Sequence, residues 1–130
     1  MSTRKIVNPA SLGTAKVPLS PGVSVGNLVF VSGTTPFKPG TPREMAPDFE
    51  GQMRQVMENI KAVLKEAGTD FDHAVKCNIF LTDIGNFQKM NEIYKTYFKE
   101  GNFPARTTIE AKMAVPGMML EIECTAEITR

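Results

Sequence analysis

Histidine is nearly absent from this sequence, with His73 alone among 130 residues. A metal centre built on imidazole and a nucleophile activated by a neighbouring imidazole both lose their usual parts, so a metal site would need some other set of converging ligands. Cysteine is almost as scarce. Cys77 and Cys124 each fall inside a β-like segment without motif spacing, which predicts buried, reduced thiols and no disulfide framework. An excess of either charge is missing too: fifteen Lys and Arg stand against fourteen Asp and Glu, and the basic residues are scattered. A polyanion binder concentrates its cations on one face, because counterion release supplies most of its nonspecific affinity, so no nucleic acid is expected as primary partner. No apolar run approaches the length needed to span a bilayer, and none follows Arg4 and Lys5 near the N-terminus. No membrane partner is expected, and the composition suits a cytosolic or matrix protein.

What is present is an ordinary globular balance, 42% apolar and 22% charged, over a length that suits one domain across residues 1–130. A domain of this size buries only about two-thirds of its unfolded surface, so it gains from association. The first clear strand is 28–32, preceded by a shorter one at 23–25, and Gly26-Asn27 between them signals a hairpin turn. Residues 33–47 carry four prolines and two glycines and read as a loop.

From Asp48 the period changes. Phe49, Met53, Val56, Met57, Ile60, Val63, Leu64 and Ala67 form one stripe of a helix, with Asp48 placed to cap it and Gly68 to stop it. Residues 74–81 alternate as a strand, with Val75, Cys77, Ile79 and Leu81 on one face and Phe80 on the otherwise polar one. A second helix is expected over 84–99, capped by Asp83 and stopped by Gly101, with Asn91 at one edge of its apolar arc. Two more strands follow at 105–111 and 119–128, joined by a connection containing Pro116-Gly117, and a short extra strand is expected near Lys5–Val7. The fold class is α+β: a mixed sheet with two helices on one face. Val29 and Val31 face one way and Leu28 and Phe30 the other, so both sheet faces need cover, and a partner subunit would supply the second layer.

Family resemblance rests on residues in a fixed order. The segment Asn102-Phe103-Pro104-Ala105-Arg106-Thr107-Thr108-Ile109-Glu110 contains a Pro-Ala-Arg motif. It is accompanied by Gly26-Asn27-Leu28-Val29-Phe30-Val31-Ser32-Gly33 with Pro36, by Asn91, and by Leu120-Glu121-Ile122-Glu123. Across residues 18–128 the chain resembles the RidA/YjgF family. The resemblance implies a chorismate-mutase-like fold, a homotrimer with clefts between subunits, and cofactor-free hydrolysis of 2-imino acids to 2-keto acids and ammonia.

On that resemblance Arg106 is the expected anchor for the substrate carboxylate, since a planar guanidinium matches a carboxylate in two parallel charge-assisted bonds. Glu121 is the expected proton-handling group for water, although Glu121, Glu123 and Glu127 also fit a plain solvated row on one strand face. Ser32, Gly33, Asn91 and Thr108 are the further candidate contacts. Ser32 and Gly33 equally suit an ordinary strand-end turn, and Asn91 equally suits a local backbone bond. Symmetric pairing about Pro116-Gly117 would set Arg106 opposite Glu127 and Glu121 opposite Lys112; a bulge, a shifted register or another subunit would then be needed to bring Arg106 and Glu121 together. Many family members have tyrosine where this chain has Leu19 and cysteine where it has Thr108. Competing readings are a non-catalytic metabolite-binding or chaperone-like trimer, a deaminase of a larger substrate such as an aminomuconate, and a ribonuclease or translation inhibitor.

Overall fold

A computed structural model describes residues 3–129. The chain runs β1 (Lys5–Val7), β2 (Gly22–Val25), β3 (Leu28–Thr34), α1 (Phe49–Ala67), β4 (Ala74–Leu81), α2 (Phe87–Tyr94), β5 (Ala105–Glu110) and β6 (Leu120–Glu127). The hairpin forms where the turn signal sits: Val25 pairs with Leu28, and Gly26 takes φ +59°, as a two-residue hairpin with glycine first requires. β3 continues two residues past the expected end, to Thr34, before the proline-rich loop begins.

Helix α1 starts where the apolar stripe starts. Asp48 occupies the N-cap position but makes no side-chain cap bond, contrary to expectation; its carbonyl accepts from the Gln52 N–H at 3.1 Å instead. The C-terminus behaves as expected, with Gly68 left-handed at φ +90° and the Thr69 N–H reaching back to the Leu64 carbonyl. Two amides interrupt the stripe, and both are buried. The Gln52 side chain donates to the carbonyls of Ala46 and Gly117 and accepts from the Met119 N–H, while Asn59 donates to the carbonyls of Thr35 and Phe37. An unsatisfied buried amide costs about 1–3 kcal/mol, so these bonds fix the loop after β3 and the approach to β6 against the helix.

The second helix is shorter than its sequence period suggests. It is a true α-helix over Phe87–Tyr94 only, flanked by 3-10 turns at Ile84–Asn86 and Lys95–Tyr97. Asp83 caps the first turn as expected, accepting from the Gly85 N–H at 2.8 Å.

The six strands form one sheet in the order β1-β2-β3-β6-β4-β5. All pairs are antiparallel except β4 with β5, which are parallel, as a strand–helix–strand crossover through α2 requires. The hairpin expected between the last two strands does not form, because β4 lies between them. Main-chain bonds from Ala111 to Leu81 and from Thr82 to Met119 guide the connection past the end of β4.

One face of this sheet carries both helices. Val29, Val31, Cys77, Ile79, Leu81, Leu120, Ile122, Cys124 and Ala126 are buried in one cluster with Met53, Met57, Ile60 and Leu64 of α1 and Met90 and Ile93 of α2. Each large side chain buried there contributes about 1.5–3 kcal/mol. Both cysteines are free and buried, directly opposite each other in the β4/β6 register. Val75 breaks the expected alternation: a register shift between Ala74 and Lys76 leaves it 47% exposed. On the other sheet face Phe30 stays 45% exposed although its neighbour Val29 is fully buried.

Candidate functional site

Arg106 lies on the helix side of the sheet, near its edge. It pairs with Cys77, and Thr108 with Ile79, in the parallel β4/β5 register; paired residues share a face, so both side chains point toward the helical layer. There the guanidinium packs over two aromatic rings, with Cζ 5.1 Å from the Tyr94 centroid and 5.6 Å from that of Phe87. Nη1 lies 3.9 Å from the Met90 sulfur. No carboxylate pairs with Arg106 among the described residues. Aromatic faces attract a guanidinium without consuming its in-plane donors, so the cation is held in place with its fork available.

Three buried polar atoms on α2 and β5, the elements that hold this cation, have no hydrogen-bond partner among the described residues: Asn91 Oδ1, the Tyr94 hydroxyl and Thr108 Oγ1. Burial, reinforced by the charge of the Cys77 thiolate form, pushes the Tyr94 hydroxyl well above its ordinary pKa, so it stays a neutral donor. It leans toward the Cys77 sulfur without meeting it in hydrogen-bond geometry. Buried polar groups are usually satisfied, so the Tyr94 hydroxyl, on the ring that packs against Arg106, is a donor left free there.

Glu121 lies on the opposite face. It pairs with Phe80, and Glu123 with Asn78, in the β4/β6 register; the Asn78 amide donates to Glu123 at 2.6 Å, which leaves Glu121 as the unbonded carboxylate of the two. The Glu121 carboxylate rests against the backbone of β3. A Cβ added at Gly33 would lie 3.0 Å from Glu121 Cδ and 3.1 Å from Oε1, so this approach depends on glycine. Partial burial first, and repulsion from Glu123 second, raise the Glu121 pKa above the ordinary carboxylate value. A carboxylate so placed exchanges protons closer to neutral pH.

Ser32 sits beside this group, but its donors are already engaged: its hydroxyl donates to the Ser20 carbonyl at 2.5 Å and its N–H to the Pro21 carbonyl at 2.9 Å. A hydroxyl oxygen with free lone pairs is what remains for a ligand. Ser32 and Gly33 also border a cleft of about 250 Å³ walled by residues of the 12–21 and 34–43 segments, Leu19 among them.

The six candidate residues thus form two groups, not one. Arg106 and Thr108 face the helical layer from β5, with Asn91 on α2 next to Met90; Glu121 lies against Gly33 on the open face, with Ser32 the residue before it. Phe87, Met90 and Tyr94, which cradle Arg106, read in the sequence only as part of an apolar stripe, and their spacing of three and four along α2 was the available signal. Gln52 and Asn59 carried no signal beyond being polar residues inside an apolar helix face.

A small α+β domain with a six-stranded mixed sheet, two helices on one side and this motif set is what one family shares. Residues 10–128 match the family described as endoribonuclease L-PSP, and the chain belongs to that family, the RidA/YjgF proteins. It is 41% identical over 125 residues to Protein DfrA of Myxococcus xanthus, covering 95% of each chain. It is 34% identical over 123 residues to the human 2-iminobutanoate/2-iminopropanoate deaminase, covering 95% of this chain and 89% of the human one. Among solved structures it matches E. coli TdcF with bound serine at a TM-score of 0.87 and 31% identity, covering 96% of this chain and 99% of that one. Imine deamination is therefore an activity of the family. No helix among the described residues is long and apolar enough to cross a membrane.

Proposed function

We propose that this protein hydrolyses small 2-imino acids, such as 2-iminopropanoate and 2-iminobutanoate, to 2-keto acids and ammonia, as a homotrimer with its sites between subunits. The observation that supports this most is the opposite facing of Arg106 and Glu121. A sheet lies between them within one chain, so a ligand touching both must bridge two copies, Arg106 of one and Glu121 of the next. The half-exposed Phe30 on the Glu121 face is apolar surface of the kind such an association would cover.

In this reading Arg106 binds the substrate carboxylate in two parallel bonds, and the Thr108 and Tyr94 hydroxyls are available as further donors to it. Asn91 Oδ1 accepts from the imine N–H. Glu121 takes a proton from water as the water oxygen bonds to C2, and returns it to nitrogen. The carbinolamine then collapses: Glu121 passes the remaining hydroxyl proton to nitrogen as the C–N bond breaks, so ammonia leaves and C2 becomes a ketone. Water and the imine supply every atom, so no cofactor enters. The setting is wherever pyridoxal-phosphate dehydratases release such imines, which is the cytoplasm or, alternatively, the mitochondrial matrix.

The test couples purified protein to a threonine dehydratase and follows imine disappearance. Arg106→Ala should lose about 2–5 kcal/mol of substrate recognition, roughly thirty- to several-thousand-fold in kcat/KM. Arg106→Lys should keep the charge yet bind 2-keto acids more weakly, because the planar fork is lost. Full activity in Arg106→Ala would rule out the carboxylate anchor.

A further inference from the structure

On the helix-facing side of the sheet four side chains stand in one row across four strands: Val31 of β3, Cys124 of β6, Cys77 of β4 and Arg106 of β5. The two thiols are neighbours with unlike outer company. Cys124 has a valine on its far side, and Cys77 has a guanidinium. Directly opposed residues of antiparallel strands have Cα atoms about 4.5 or 5.5 Å apart, depending on where they fall in the ladder. Both separations lie within the roughly 4.4–6.8 Å that a disulfide spans, so the pair is spaced for a bridge.

The row also makes the two thiols unequal. Donation from Cys124 holds the Cys77 thiol below its ordinary pKa against the opposing effect of burial, with the Tyr94 hydroxyl that leans toward it and the Arg106 charge adding to the effect. The Cys124 thiol is pushed up, by its interaction with the Cys77 sulfur and by burial. One thiol is set to attack and the other to follow.

We propose that Cys77 and Cys124 are a hydroperoxide-responsive dithiol, in which Cys77 attacks the peroxide and Cys124 resolves the product into a reversible disulfide across β4 and β6. The Cys77 thiolate bonds to one peroxide oxygen as the O–O bond breaks, and the departing hydroxide takes up the proton that Cys77 gave. The Cys124 sulfur then attacks the sulfenic sulfur: the S–S bond forms, the S–O bond breaks, and a second water leaves with the Cys124 proton. Two thiols lose two electrons and two protons, and one hydrogen peroxide becomes two waters. Both thiols are buried in the resting fold, which shuts out large oxidants. Hydrogen peroxide is close to water in size, and β5 is an edge strand that pairs with β4 alone among the described residues, so local opening at that edge uncovers Cys77 first. Imine hydrolysis is not needed for any of these steps.

The test exposes the folded, full-length protein to hydrogen peroxide, then unfolds it in acidic denaturant and counts thiols. We expect the count to fall from two per chain to none, and dithiothreitol to restore it. A protease digest should yield one peptide pair joined through Cys77 and Cys124, from chains that stay single on a non-reducing gel. In Cys124→Ala the reaction should stop at a Cys77 sulfenic acid that dimedone traps. In Cys77→Ala the Cys124 thiol should be lost at least about tenfold more slowly than in the unsubstituted protein. Thiols that survive the peroxide, a loss that dithiothreitol does not reverse, or a bridge between chains overturns the proposal, and so does an equal rate of thiol loss in Cys77→Ala. The thiol count and the linked peptides come from the unsubstituted protein, so they decide the matter even if a variant folds poorly.

Discussion

The two faces of one sheet, alternating residue by residue along the same strand, have opposite characters. Along β6, Leu120, Ile122, Cys124 and Ala126 are buried under the helices, while Glu121, Glu123 and Thr125 between them are only partly covered. The helix side is packed within one chain and supplies stability, except at its β5 edge, where Arg106 and unpartnered polar atoms of β5 and α2 stand. The open side holds a carboxylate with a raised pKa, the half-exposed Phe30 and no helix. In the proposed function this contrast is the division between a face that folds the chain and a face that works on the ligand.

Adjacent residues sharpen the contrast most. Glu121→Gln should lower kcat for imine hydrolysis by about 10²–10⁴-fold while 2-keto acid binding persists, because it removes proton transfer and leaves the Arg106 anchor intact. In the unsubstituted protein, activity should fall as pH drops through the raised Glu121 pKa, since the proton acceptor must be ionised; a kcat profile still showing that limb in Glu121→Gln would remove Glu121 from the role. The same shift has a stability sign. Glu121 binds its proton more tightly folded than unfolded, so its ionisation disfavours the fold as pH rises, and Glu121→Gln should raise Tm at neutral pH with the gain vanishing below the unfolded pKa.

One position further, Ile122→Ala should cost about 2–5 kcal/mol of unfolding free energy in urea titration, with kcat per folded molecule nearly unchanged. Gln52→Leu should cost about 1–3 kcal/mol by leaving the carbonyls of Ala46 and Gly117 and the Met119 N–H without their partner. Phe30→Ser, on the open face, should change the folding free energy of the isolated chain by less than about 0.5 kcal/mol yet weaken self-association, read by sedimentation. Equal stability losses for Phe30→Ser and Ile122→Ala would erase the distinction between the faces.

Much of this architecture was present in local pattern. Period-two alternation in 74–81 and 119–128, the three-and-four spacing after Phe49, and Gly26-Asn27 between apolar runs all depend on neighbours in sequence, and the strands, α1 and the hairpin formed where those patterns lay. Local rules failed where a distant partner decided. The α2 pattern continues past Tyr94, yet the last turn tightens to 3-10; the Asp48 side chain stayed unbonded; and a bulge at Val75 shifted one alternation by a residue.

The motif residues were likewise recoverable from order and type, and the half-sites were not. Alternation tells which residues of a strand share a face, but not which strand lies beside it. A hairpin between the last two strands would have been the shortest connection, and it would have set Arg106 opposite Glu127. The insertion of β4 between them is instead fixed by the parallel β4–α2–β5 unit and by the burial of Cys77, Ile79 and Leu81 beside Cys124, Ile122 and Leu120, contacts between residues some forty positions apart. Local pattern thus sets the elements, the apolar stripes and the presence of a guanidinium and a carboxylate. That these two lie on opposite sides of the sheet follows from the strand order, which non-local packing sets and no local period records.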